Sequence, residues 1–205
     1  MKFKIIENET LQYGDKVLRR IVAEKDFANI KEGEKGGFVE SEKNLSQDGE
    51  AWIGGNAIVC ENAVVMDDAT VCDKAKVCGN AVVRGSAKVC GNSIVDGESY
   101  ICDNAGVSGN AIVYESSILG DAKVQGDARV YKADVLDKAL VKDSAIVMNR
   151  AKALGYSKIR NQAIVVGKVK ICGGTDMSGS SIITGFFERN DYIDKIIWIE
   201  EKHSK

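Results

Sequence analysis

The chain has 205 residues, 44% of them hydrophobic, which suits one soluble domain with a full core. Its 28 basic and 30 acidic residues are intermixed and leave a formal charge of −2, so neither nucleic acid nor an anionic membrane is an expected partner. MKFKIIENET has no apolar leader core and no long apolar run follows, so a cytoplasmic location is expected. Six cysteines in that reducing setting are expected to stay free thiols. Proline is absent, which suits a backbone whose N–H groups are nearly all used in ladders.

Residues 1–50 carry no repeat. KFKII (Lys2 to Ile6) and KVLRRIVA (Lys16 to Ala23) read as strands joined around Tyr13-Gly14-Asp15, and KEGEKGG (Lys31 to Gly37) reads as a loop. Together they predict a hairpin-like β cap, which a stack of strands needs because a bare sheet edge invites addition of further chains.

From Ile53 an aliphatic residue recurs every sixth position, through Val59, Val65, Val71, Val77, Val83, Val89, Val95, Ile101 and Val107 to Val113. A small residue follows four places after each, as in Ala57, Ala63, Ala69 and Ser93. An α-helix cannot keep such a repeat on one face, whereas a short strand with a tight corner can. The intervening pairs Gly79-Asn80, Gly91-Asn92 and Gly109-Asn110 tolerate the positive φ of a sharp corner. Three units close one triangular coil, valines fill its sides, and successive coils stack about 4.8 Å apart. One coil alone is unstable; stacking lets neighbours share a core.

The register shortens twice, to five residues between Val113 and Ile118 and again between Val130 and Val135. It then resumes through Val141, Val147, Ala153, Ile159, Val165, Ile171, Met177 and Ile183. Both short steps fall at the same corner of successive coils, with Tyr114 and Tyr131 directly before them. A tolerated deletion and a built notch both fit this pattern. The repeat domain spans residues 51–185, and 186–205 read as a capping segment and tail in which NDYIDKIIWIEEK (Asn190 to Lys202) is a helix or a closing strand.

Over about residues 50–185 this pattern resembles the hexapeptide-repeat family, which implies an all-β, single-stranded, left-handed parallel β-helix. Handedness comes from the resemblance alone, since the general rule for parallel crossovers favours the right hand. The segment Ile21 to Ile53 resembles the lead-in of a subgroup in bacteria and their phages often described as transferases. Membership implies acyl transfer from an acyl-CoA in a cleft between subunits of a trimer, with a histidine as general base. The chain's one histidine, His203, lies outside every coil, so no catalytic residue and no cofactor are expected; acyl-CoA enters only under the transferase alternative. A zinc site of three histidines is excluded by count.

Outward positions sort by side of the triangle. One side carries Ile94, Ile112, Tyr114, Arg129, Tyr131, Ile146, Met148 and Ile164, too apolar a set for free solvent, and these eight are the candidate ligand or subunit interface. A second side (Val82, Tyr100, Leu119, Leu136) is also apolar, whereas the third (Thr70, Lys88, Lys123, Lys158) reads as wetted. Cys60 and Cys78, and likewise Cys72 and Cys90, fall one coil apart on outward positions and read as surface strand residues; no metal site is expected. The resulting expectation is a non-catalytic scaffold that associates with itself, as a trimer, and binds a small molecule, a nucleotide or a protein at subunit junctions. The alternatives are an acyl- or acetyltransferase, and a phage accessory protein that sequesters a host nucleotide signal or binds a host defence protein.

Overall fold

A computed structural model describes residues 1–185 as short strands, tight corners and one 3-10 turn at Glu42–Asn44. The capping segment expected at 186–205 lies outside the described residues. From Trp52 onward each aliphatic position of the repeat sits in a strand of two to four residues, paired in parallel with its counterpart in the neighbouring coil. Three sheets result, one per side of a triangular prism. The first face runs from Ile58–Val59 through Lys76–Val77, Ile94–Asp96 and Ile112–Tyr114 to Ile182–Gly185. The second begins at Val64–Val65 and holds seven strands; the third begins at Trp52–Ile53 and holds eight. This is a parallel β-solenoid of about eight turns.

The core follows from the repeat. Val71, Val77, Val83 and Val89 have no exposed surface, and neither do the corner residues Ala69, Ala75, Ala81 and Ala87. Each buried valine contributes about 1.5–3 kcal/mol relative to exposure. Both short steps are accommodated without loss of pairing: Val113 lies in register with Val130, and Ile118 with Val135.

Corners use a second device besides glycine. Asp67, Asp73, Asp103, Asp137 and Asp143 adopt φ of 60–62°, where a side chain is normally disfavoured. Their carboxylates accept N–H groups from the corner one coil later, Asp73 from Gly91 at 2.9 Å and Asp103 from Gly120 at 2.9 Å. A charge-assisted bond offsets the backbone cost and ties adjacent coils together.

At the N-terminal end, strands β1 (Phe3–Tyr13) and β2 (Lys16–Ala23) form an antiparallel hairpin turned at Gly14. Strand β3 (Lys35–Val39) pairs antiparallel with β2 and parallel with Ile58–Val59, converting one sheet direction into the other. The loop expected at Lys31 to Gly37 is therefore shorter, since Lys35 to Gly37 belong to β3. The physical reason lies in Gly36 and Gly37. A Cβ on either would come 2.5 Å from the carbonyl oxygen of Ile53 or Ala57, so glycine is required for β3 to lie against the first coil. Phe3, Ile21, Ala23, Ile30 and Val39 close the end of the prism core, with Phe27 set edge-on against Trp52.

Candidate functional site

All eight expected interface residues lie on the first face, in two adjacent columns. Ile94, Ile112, Arg129, Ile146 and Ile164 follow one another in register, and Asp96, Tyr114, Tyr131, Met148 and Val166 form the column beside them. Tyr114 and Arg129 are exposed, and the other six expected residues are half-buried.

The hairpin does something the sequence did not reveal. Leu11, Tyr13 and Leu18 fold over the outer side of the first face, where Leu18 packs with Phe38, Ile58, Cys60 and Cys78 into a second small core. Cys60 and Cys78 are consequently buried, 1% and 8% exposed, rather than surface strand residues. Their sulfurs lie 2.9 Å apart; that hydrogen bond, together with burial, pushes the Cys60 thiol above its usual range. Burial and the neighbouring thiols likewise push Tyr13 up to about 12. The outward apolar column is thus covered by the chain's own hairpin at one end, and from Ile94 on no described residue covers it.

Cys72 and Cys90 correct the expectation of free thiols: their sulfurs are joined as a disulfide, with Cα atoms 4.8 Å apart. The rung spacing of a parallel sheet puts outward neighbours within the range a disulfide spans. Asp73 lies close to both sulfurs, but sulfurs bonded to each other are not free to hold an ion.

The two five-residue steps form a notch at the corner between the first and second faces. Glu115 and Lys132 make the turn with φ of 47° and 50°. Ser116 fills the shortened corner: its hydroxyl donates to the Tyr114 carbonyl at 2.8 Å and accepts the Ala133 N–H at 3.1 Å. Above it, the Ser99 hydroxyl donates to the Asp96 carbonyl at 2.6 Å and accepts the Ser116 N–H at 3.3 Å. Beside the corner runs an open groove of about 520 Å³ lined by Glu98, Glu115, Lys132, Ala133, Asp134, Arg150 and Lys152. Lys132 pairs with Glu115 at 3.2 Å and Lys152 with Asp134 at 2.6 Å. Hydrogen bonds from Tyr114 and Lys132 hold the Glu115 carboxyl below the usual carboxylate range, and the same Tyr114–Glu115 bond raises the tyrosine.

None of the groove residues was among the eight expected. The signal was present: each short step contains a charged residue directly after its tyrosine, and the corners one coil before and after carry a charge too. Reading outward positions along strands passed over it because Glu98, Glu115, Lys132 and Arg150 sit at corners. His203 lies outside the described residues.

A family model described as YdcK Beta solenoid repeat matches residues 105–121, about the length of one coil and including the first short step. No curated protein matches the chain. The repeat match and the stacked parallel strands together mark this chain as a β-helix repeat protein.

Proposed function

We propose that the chain is a non-catalytic, self-associating β-helix scaffold that closes as a trimer through its first face. A small ligand or protein partner is held at the subunit junction, on the shelf formed by Tyr114 and Tyr131. One observation carries the reading. The outward column of the first face is sealed by Leu11, Tyr13 and Leu18 where the hairpin reaches it, while Ile94, Ile112, Ile146 and Ile164 continue the same column without cover from the described residues. An apolar column that the chain itself covers at one end is, along the rest, suited to a protein contact, and closed symmetric association is the commonest way to provide one.

The notch chemistry supports binding rather than acyl transfer. A general base needs a free carboxylate or amine poised near neutrality. Glu115 is instead held ionised by Tyr114 and Lys132, which weakens it as a base, and Tyr114 is moved away from ionisation.

Thermal denaturation in the presence of acyl-CoAs and nucleotides tests this reading, because a ligand that binds only the folded state raises the melting temperature. A nucleotide or other small molecule is expected to raise it in the wild type and not in Tyr114→Ala/Tyr131→Ala. Turnover of an acyl-CoA thioester with an amine or hydroxyl acceptor would overturn the reading.

A further inference from the structure

The corner groove carries a ladder of charge whose sign reverses at its midpoint. Tyr100, Ser117, Asp134 and Lys152 are in register on successive coils, and the corner just before each presents one charged residue to the groove: Glu115 and Lys132 at the two five-residue corners, Glu98 and Arg150 at the six-residue corners on either side of them. In order along the prism these four charges read acid, acid, base, base on coils about 4.8 Å apart, and Lys168 carries a further base at the next corner past Arg150. Glu115 and Lys132, at the centre, pair with each other. Glu98 and Arg150, at the two ends, are exposed and have no ion-pair partner among the described residues.

We propose that this corner is an isologous docking surface for a second copy of the chain, with the two prisms running antiparallel. A two-fold axis lying in the contact plane and perpendicular to the prism leaves each column facing itself in reverse order. Glu98 then meets Arg150 of the second copy, and Glu115 meets its Lys132, at both ends of the contact. The neighbouring column obeys the same operation: exposed Tyr100 faces Lys152 of the second copy, a cation over an aromatic ring, and Ser117 faces Asp134. A two-fold axis along the prism would instead set Glu98 on Glu98 and Arg150 on Arg150, so the ladder selects the antiparallel arrangement. Self-complementarity of this kind is what a closed two-fold contact requires.

The contact uses a different surface from the first face and stands independently of the trimer. One corner is small beside a standard interface of about 1,600 Å², so pairing is weak and salt-sensitive, strengthened where several corners engage at once.

Sedimentation velocity at high protein and low salt concentration tests it, on wild type, Glu98→Arg, Arg150→Glu, and an equal mixture of the two variants. Wild type is expected to double the mass of its smallest assembly. Each variant alone turns two attractive pairs repulsive and weakens doubling about tenfold or more. In the mixture, the substituted position of one variant meets the substituted position of the other with opposite charge. The unaltered Arg150 of the first likewise meets the unaltered Glu98 of the second, so doubling returns. Absence of doubling in wild type, doubling that persists in either variant, or a mixture that stays undoubled overturns the proposal. Loss of first-face association changes the smallest assembly instead, so the two failures are distinguishable.

Discussion

Tyr114 lies directly in register with Tyr131 one coil later, and each ends the strand that enters a five-residue corner. The two short corners therefore stack directly on each other, and each also keeps its register with the full-length corner on its other side. Glu115 and Lys132 then occupy equivalent turns, 3.2 Å apart.

Two buried corner serines, one at a five-residue corner and one at a six-residue corner, make opposite predictions. Ser116 bridges Tyr114 and Ala133, so Ser116→Ala leaves a buried carbonyl and N–H short of a partner and should cost about 1–3 kcal/mol. Ser157 is equally buried, but its hydroxyl has no hydrogen-bond partner among the described residues, so Ser157→Ala should be neutral or stabilising by about 1 kcal/mol. Denaturant unfolding of both variants checks the signs. A stabilised Ser116→Ala would show that the notch is not held by its hydroxyl.

The disulfide predicts a thiol count. Alkylation of the unreduced, denatured protein should label four cysteines, Cys60, Cys78, Cys102 and Cys172, and six after reduction. Cys72→Ser should then lose up to about 3 kcal/mol, the chain-entropy value for a loop of this length. Six labelled thiols in the unreduced protein would contradict the pairing.

Lys2 predicts a pH dependence. It is 2% exposed, its amine reaches the carbonyls of Asp48 and Gly49 at 3.3 and 3.4 Å, and burial lowers its pKa to about 8 from an ordinary 10.5. Between these values the unfolded chain binds the proton that the folded chain has released, so stability from this group rises with pH and is least below pH 8. Cys60 and Tyr13, held protonated by the fold, act in the opposite sense above their ordinary values. The Lys2 effect is therefore the difference between wild type and Lys2→Met, which should rise by about 2 kcal/mol between pH 8 and 10. A difference constant with pH would contradict the assignment.

What the sequence showed and what it hid divide along a physical line. The period of six, the corner alanines and the position of both short steps were legible because inward positions obey one rule repeated from Ile53 to Ile183. The eight first-face residues were legible for the same reason, as the outward complement of that rule. The second core was not: Leu11, Tyr13 and Leu18 reach Cys60 and Cys78 only through the path of the hairpin, which no local periodicity encodes. Nor was the charge ladder, since corner residues belong to neither the inward nor the outward set. The disulfide was hidden by an assumption about the compartment rather than by geometry, for Cys72 and Cys90 were already recognised as one coil apart.

Self-association through the first face is tested most directly by sedimentation equilibrium, at micromolar concentration, of the wild type and of Ile112→Lys/Ile146→Lys. Both isoleucines point outward, so the core valines are untouched and circular dichroism should not change. The wild type should sediment at three times the 22.1 kDa chain mass and the double variant at the mass of a single chain. A wild type that is already a monomer, or a double variant that keeps the wild-type mass, would contradict the assignment of this face.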